Sequence, residues 1–129
     1  MKVVFLSLIA IISSFVLVAD ARAENVSLMV GQRKTVDHGK LTVKFVSVVE
    51  DSRCPINARC IWAGNAKIKI SVKKGRHAAK IVELNSTLDP KFIEYSGYKI
   101  AYEDLKPWPG EKPSGHAVKR ATLSITRIR

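Results

Sequence analysis

The chain has 129 residues, with 22 Lys or Arg against 11 Asp or Glu, and only two cysteines and three histidines. This length has room for one domain and excludes folds of about 250 residues such as the TIM barrel. Hydrophobic residues make up 47% of the chain, enough to bury a core, so intrinsic disorder is excluded. Residue types that build active sites are scarce, which argues against most enzyme architectures.

Residues 1–23 are predicted to be a secretory signal peptide. Residues 3–18 form an apolar run, and Ala21-Arg22-Ala23 is a small-x-small cleavage site, so we place the cut after its last alanine. Ala19-Asp20-Ala21 offers a second site two residues earlier. The alternative is an uncleaved membrane anchor, but the apolar run is shorter than the about 20 residues that a spanning helix needs. No cysteine lies near the cut, so residues 24–129 are expected to form a soluble periplasmic or secreted domain without a lipid anchor.

The excess of positive charge belongs to this mature domain. Without residues 1–23 the chain keeps 20 basic and 10 acidic residues, a formal charge of +10. Such a charge attracts an anionic polymer, a lipid surface or an acidic envelope protein, with an affinity that falls as salt rises. The alternative is a solvated basic surface that only aids solubility.

From residue 25 onward apolar and polar residues alternate with period two, which predicts β-strands with one buried face. In the clearest strand, Ile68, Ile70 and Val72 alternate with a basic face in water. That face and the turn that follows supply candidate binding residues, namely Lys67, Lys69, Lys73, Lys74 and Arg76. Further strands are predicted near residues 26–30, 41–49, 81–84, 98–102 and 121–125.

This spacing predicts a single-domain antiparallel β-sandwich of six to eight strands, with Greek-key connections and an immunoglobulin-like general shape. Residues 102–105 could form a single helical turn. Residues 106–117 contain three of the five prolines and are predicted to form an irregular surface loop.

Cys54 and Cys60 are the only cysteines, and in an exported protein they are predicted to form a disulfide that closes a short loop. In the chain-entropy model such a loop contributes about 2 kcal/mol. A redox-active pair or a metal site is less expected, because the spacing is not C-x-x-C and no further ligand lies nearby. No metal or cofactor is predicted.

The residues around this loop have a structural interpretation. Asp51 can accept hydrogen bonds from backbone N–H groups, and Pro55 stiffens the turn. Trp62 would pack beside the disulfide, and Gly64 would permit a bulge or a close backbone approach. Together these residues would form a corner that organises the sandwich.

The same loop also has a functional interpretation. Arg53, Asn57 and Arg59 would project from it as recognition groups, because a preorganised loop lowers the entropy cost of binding. In its sharpest form this hypothesis describes an inhibitor that inserts Arg53 into the cleft of a hydrolase.

The string Asp51-Ser52-Arg53-Cys54-Pro55, followed after four residues by Cys60-Ile61-Trp62-Ala63-Gly64, resembles the hallmark of a family of small exported bacterial proteins and lipoproteins. The resemblance extends to Gly31-Gln32, to Gly97-Tyr98-Lys99-Ile100 and to a Leu-x-Pro-x-Pro element at residues 105–109. It implies a bacterial envelope protein of β-sandwich type and brings no established activity. The lipobox cysteine that some members carry is absent from this sequence.

Trp108, between two prolines, is a further candidate binding residue, because an aromatic side chain on a stiffened loop offers contact area at low entropy cost. The alternative is that its ring folds back over a sheet edge.

No catalytic residue is predicted. The histidines share no metal-ligand spacing, and Glu103 and Asp104 are expected on opposite faces of a strand.

The sequence therefore favours a non-enzymatic exported domain that binds an anionic partner through its basic face. The competing hypothesis is an inhibitor of a secreted or periplasmic hydrolase that acts through residues 51–60. A purely structural role is the third possibility.

Overall fold

The computed structural model describes residues 22–112 and 118–128. Eight strands form two antiparallel sheets of four, and this confirms the predicted all-β sandwich. The strands are β1 (Ala23–Met29), β2 (Arg33–Val36), β3 (Leu41–Asp51), β4 (Ala66–Lys74), β5 (Lys80–Asn85), β6 (Phe92–Tyr95), β7 (Tyr98–Lys106) and β8 (Arg120–Arg127). The predicted signal peptide lies outside the described residues except for its last two. Across the described ranges no helix is long and apolar enough to cross a membrane.

The strands follow one another in space almost as they do along the chain. One sheet has the order β2-β3-β4-β5 and the other β1-β8-β7-β6. The chain changes sheet only between β1 and β2 and between β5 and β6, and a long connection separates β1 from β8, beside which it lies. The connections are collected at two ends, which we call the turn end (residues 37–40, 75–79 and 96–97) and the loop end (residues 52–65, 86–91 and 107–112).

The core lies between the two sheets and is built from the alternating apolar positions. On β4 the predicted pattern is confirmed, since its apolar side chains are buried while Lys67 and Lys69 lie on the outer face. Burial of each large apolar side chain contributes about 1.5 to 3 kcal/mol. The largest fully buried side chains are Phe45, Leu28, Leu41, Ile68, Ile70, Leu84, Ile100, Leu105 and Leu123.

Two strands contain bulges that the sequence pattern did not reveal. On β3 the register shifts at Val46 and again at Val49, so these two residues have no partner opposite them on β4. On β7 the register shifts between Tyr102 and Asp104, which leaves Glu103 without a partner opposite it. The predicted helical turn at residues 102–105 is therefore wrong, because the strand continues through a bulge to Lys106.

Candidate functional site

The predicted disulfide is present at the loop end, between Cys54 and Cys60. The backbone beside it is held by neighbouring segments: Cys54 N donates to Ala63 O over 3.0 Å, and Ile56 N donates to Pro109 O over 3.0 Å. Thus the loop is hydrogen-bonded to the segment that precedes β4 and also to the proline-rich segment. These hydrogen bonds give it one conformation.

Gly64 makes the close backbone approach that was predicted. Its φ is +72°, and a Cβ built on it would lie 1.9 Å from the Ser52 carbonyl oxygen. Ser52 N donates to Asn65 O over 2.8 Å, and Ser52 Oγ accepts from Asn65 N over 3.0 Å. Only glycine leaves room for these two segments to run so close together.

Arg53 does not project into solvent, and the prediction that it does is wrong. The residue is only 3% exposed. Its Nε donates to Asp51 Oδ1 over 2.8 Å and its Nη2 to Asp51 Oδ2 over 3.0 Å. Its Nη1 donates to Leu105 O over 2.7 Å, and Nη2 also reaches Pro107 O over 3.3 Å. Because the guanidinium is satisfied inside the fold, it holds the loop rather than presenting itself to a partner.

The pair formed by Arg53 and Asp51 stays ionised despite its burial. Burial opposes the charge on Asp51, but hydrogen bonds from the Arg53 side chain and backbone and the charge of Arg53 outweigh it, so the pKa of this carboxyl lies below its ordinary value. Lys119 Nζ, 3.5 Å from Asp51 Oδ2, acts in the same direction. Burial lowers the pKa of Arg53, but Asp51 reverses the direction, so the guanidinium remains charged.

The Trp108 ring does not project as a binding anchor but folds back onto the domain. It covers the Arg53 side chain, however, and not the sheet edge that was expected. The Arg53 Cζ lies 4.4 Å from the centroid of its ring. The indole Nε1 donates to Asp104 Oδ1 over 3.0 Å, and the backbone N donates to Glu111 Oε2 over 2.8 Å. These contacts fix the ring, so Trp108 works as a wall of the loop end.

The disulfide-braced loop and the two residues after it present large apolar side chains together with the polar Asn57 and Arg59. Ile61 is fully exposed, Ile56 is 63% exposed and Trp62 is 53% exposed. Trp62 therefore packs less closely beside the disulfide than predicted, while Arg59 is exposed as expected. Several large apolar side chains on one rigid loop form a feature typical of a contact surface.

A cleft of about 280 Å³ opens beside this loop, between Trp108 and the Ser86-Thr87 segment. Tyr102 lies in its wall, and its hydroxyl is buried without a hydrogen-bond partner among the described residues. Burial raises the pKa of this hydroxyl to about 12, partly offset by the charge of Arg53. Arg53, the cation that lines the cleft, is already paired with Asp51.

The predicted lysine row is split by the register of its sheet. Lys67 lies directly opposite Glu50 on β3, and Lys69 lies opposite Glu83 on β5. Lys73 lies opposite Thr42 and has no such carboxylate neighbour across the strand pair. The outer face of β4 is therefore less basic at its loop end than at its turn end.

Lys74 does not belong to this row, because period two places it on the other side of β4, opposite Leu41. Its Nζ donates to Ser96 O over 3.2 Å and lies 5.9 Å from the centroid of the Tyr98 ring. Gly75 N donates to Lys40 O over 2.9 Å and so brings the turns at 37–40 and 75–79 together. The result is a group at the turn end that we call the basic cluster, comprising Lys40, Lys73, Lys74, Arg76 and Lys80.

Sequence reasoning found Lys73, Lys74 and Arg76 but missed Lys40 and Lys80, which come from other elements. The one sequence signal that could have identified Lys40 was the Gly39-Lys40 turn before β3.

No group of three or more His, Cys, Asp or Glu side chains that could hold a metal ion occurs within residues 22–112 and 118–128. Comparison with known protein families, curated proteins and solved structures finds no match for this chain.

Proposed function

We propose that this chain is an exported, non-enzymatic domain that binds an anionic partner through the basic cluster at its turn end. The observation that carries the proposal is that five cations stand on two turns joined by a backbone hydrogen bond and on the strand ends beside these turns. The lysines nearer the loop end have glutamates opposite them, whereas Lys73 and Arg76 are exposed without one across the sheet. The basic cluster therefore gathers five cations at one end of the domain.

The expected strength of this binding follows from the number of charges. Each Lys or Arg close to an anionic surface contributes about 1 kcal/mol at physiological salt. Five such groups suffice for a reversible attachment that weakens steeply as salt is added. The charges lie on short turns and strand ends, so little backbone has to be ordered when the partner binds.

The test compares two variants that lose the same number of charges. The first carries Lys73→Gln, Arg76→Gln and Lys80→Gln in the basic cluster, and the second carries Lys67→Gln, Lys69→Gln and Lys91→Gln away from it. Affinity for dextran sulfate and for vesicles containing phosphatidylglycerol is measured in solution between low and high salt. The first variant should lose about 3 kcal/mol, on the order of 100-fold, whereas the second should lose much less. An equal loss in both variants would show that only the net charge matters and would contradict the proposal.

A second candidate function, the hydrolase inhibitor, is favoured by one observation, the exposed apolar side chains on the disulfide-braced loop. Because Arg53 is buried, insertion into an enzyme cleft would fall to Ile61 and Trp62. Rigid loops with a central aromatic anchor are the usual form of an energetic hot spot in protein interfaces. This candidate predicts stoichiometric binding that survives high salt.

Its test is a titration of secreted proteases and glycosidases with the protein at high salt. Inhibition at equimolar ratio that is lost in Ile61→Ser and in Trp62→Ala would support it. Leu88→Ser serves as the matched control, because Leu88 is a half-exposed apolar side chain on the neighbouring loop. Absence of inhibition across the panel, or equal loss in the control, would reject the inhibitor.

A further inference from the structure

A second cleft, of about 260 Å³, lies at the turn end between the two sheets. Its cationic wall consists of Lys40, Lys74 and Arg127, and the Ser96-Gly97 turn and Tyr98 complete it. Pockets that hold drug-sized ligands have volumes of about 300 to 1,000 Å³, and this cleft is slightly smaller. It therefore suits a small charged group better than a whole organic ligand.

The three cations reach this cleft from three different elements. Lys40 ends the turn at 37–40, where its backbone N donates to Asp37 O over 3.1 Å and its backbone O accepts from Gly75 N. Its side chain is exposed. Lys74 stands at the end of β4. Its ammonium group has three N–H donors, and one of them donates to Ser96 O. Two donors of Lys74 remain for a ligand.

Arg127 stands at the end of β8, which belongs to the other sheet from β3 and β4. Its Nη1 lies 3.9 Å from Asp37 Oδ2, and Asp37 also accepts a hydrogen bond from the Tyr98 hydroxyl. This hydrogen bond is the largest influence that lowers the pKa of Asp37, so the carboxylate is ionised and compensates part of the Arg127 charge. Asp37 is not among the residues that line the cleft. Among the described residues, Lys40, Lys74 and Arg127 are the cations that line the cleft, and the Asp37 carboxylate contacts Tyr98 and Arg127 beside it.

We propose that this cleft binds a phosphomonoester group, and that this group is the part of the anionic partner which the domain recognises. The inference rests on the proposed function and goes beyond it, since it assigns a ligand class and a site to what is otherwise general attraction between charges. Its residues differ in part from those that carry surface attachment, because Lys73, Arg76 and Lys80 lie outside the cleft.

The chemistry of the cleft favours a phosphomonoester over other anions. A terminal phosphoryl group carries a charge of about −1.5 to −2 at pH 7 and three acceptor oxygens, which match cations arriving from three sides. A carboxylate has one charge and two oxygens. A phosphodiester has one charge and is flanked by two substituents, so it reaches a recessed site less easily than a terminal group does.

The test uses the protein expressed from the full chain, titrated with glycerol phosphate and, separately, with dimethyl phosphate. Binding is followed by the backbone amide resonances of Ser96, Gly97 and Lys40. We expect saturable shifts at these amides with glycerol phosphate and at least tenfold weaker binding of dimethyl phosphate. Equal binding of the two compounds, or shifts confined to other parts of the molecule, would overturn the inference.

Variants separate this inference from the proposed function. Lys40→Gln combined with Lys74→Gln should weaken glycerol phosphate binding at least tenfold, and Lys40→Gln alone should weaken it several-fold. The single variant removes only an exposed ammonium group and leaves the backbone contacts of Lys40 in place. The matched control, Lys67→Gln with Lys69→Gln on the outer face of β4 away from the turn end, should bind glycerol phosphate like the unaltered protein. If the control loses as much as the double variant, the cleft is not the site even though surface attachment still holds.

The source of the phosphoryl group is decided in a second arm. Vesicles containing phosphatidic acid are compared with phosphatidylglycerol vesicles matched in surface potential. A tenfold preference for phosphatidic acid that disappears in the Lys40, Lys74 double variant identifies a lipid headgroup. Glycerol phosphate binding without any vesicle preference identifies a small soluble phosphate. Failure of both arms would overturn the cleft while leaving binding to dextran sulfate, and with it the proposed function, open to its own test.

Discussion

The guanidinium of Arg53 lies against the ring of Trp108, with 4.4 Å between Cζ and the ring centroid. The same guanidinium bonds Asp51 and the carbonyl oxygens of Leu105 and Pro107. One side chain therefore joins the disulfide-braced loop to the proline-rich segment, although the two are more than 50 residues apart along the chain. The loop end is therefore held by this contact as well as by the disulfide.

Loss of either partner of the buried ion pair should destabilise the domain. Arg53→Ala leaves Asp51 and two backbone carbonyl groups without their donor, and Asp51→Asn leaves Arg53 charged and buried. We expect each change to cost about 3 kcal/mol or more in the free energy of unfolding, measured by urea denaturation. Arg59→Ala, on the exposed side of the same loop, is the control and should change stability by less than about 0.5 kcal/mol.

The ion pair also gives a pH dependence of known sign. Because the folded pKa of Asp51 is depressed, its stabilising contribution is fully present above the unfolded pKa of about 3.9 and is lost as the pH falls through the folded value. The unfolding free energies of the unaltered protein and of Asp51→Asn should therefore differ at pH 7, and this difference should begin to shrink as the pH falls below about 4. A difference that stays constant between pH 7 and pH 3 would show that the charge of Asp51 is not what stabilises the fold.

Gly64→Ala should be far more harmful than alanine at another glycine with positive φ. At Gly64 the new Cβ meets the Ser52 carbonyl oxygen, whereas at Gly31, with φ +84°, nothing lies within 4 Å. Gly31→Ala should therefore cost only the left-handed backbone strain of about 1 to 2 kcal/mol. Gly64→Ala adds a forced separation of two backbone segments, typically a further 1 to 3 kcal/mol. Similar losses in thermal or urea unfolding would contradict the close approach.

Two tyrosines on β7 should respond in opposite ways to removal of their hydroxyl groups. Tyr98→Phe removes the hydrogen bond to Asp37 and should cost about 1.5 kcal/mol. Tyr102→Phe removes a buried hydroxyl that has no partner among the described residues, so stability should be unchanged or rise by up to about 1 kcal/mol. Urea denaturation of both variants in parallel provides the check. A clear loss in Tyr102→Phe would reveal a hydrogen bond to a bound group or to water.

Removal of the disulfide should have a modest global effect. Its short loop predicts a loss of about 2 kcal/mol on reduction or in the double change Cys54→Ser, Cys60→Ser. Since Arg53 and the backbone hydrogen bonds still hold the base of the loop, the reduced domain should remain folded. Amide exchange should rise mainly between the two cysteines. Unfolding on reduction alone would show that the ion pair cannot hold the loop end without the bridge.

The parts of the fold that the sequence predicted are those set by local patterning. On β4 the alternation of Ile68, Ile70 and Val72 with lysines determines the buried face directly, and the hairpin at Gly75 follows from its turn residues. The short edge strands β2 and β6 were missed, because four residues carry too little alternation to stand out. The bulge at Glu103 was not predicted, because it arises from the way β7 pairs with β8 and leaves no local pattern in the sequence.

The candidate sites were predicted less well, because distant contacts decide them. Arg53 is charged and lies beside a proline and a cysteine, which locally suggests an exposed turn. Its burial depends on Asp51 and on carbonyl groups some 52 residues away, which no local pattern reports. Similarly, the grouping of Lys40 with Lys74 and Arg127 arises from the sandwich topology and is invisible along the chain.

The pairing of β1 with β8 has a practical consequence for how this protein is handled. Ala23 lies beside Thr126, and Ile128 N donates to Gly97 O, so both ends of the described chain emerge beside the turn end. A fusion tag or a sensor surface attached at either of these ends lies on the side of the basic cluster and leaves the disulfide-braced loop facing the analyte. Under the proposed function, such an arrangement favours the detection of proteins that recognise the loop over the detection of polyanions. Attachment through the 86–89 segment at the opposite end reverses that bias.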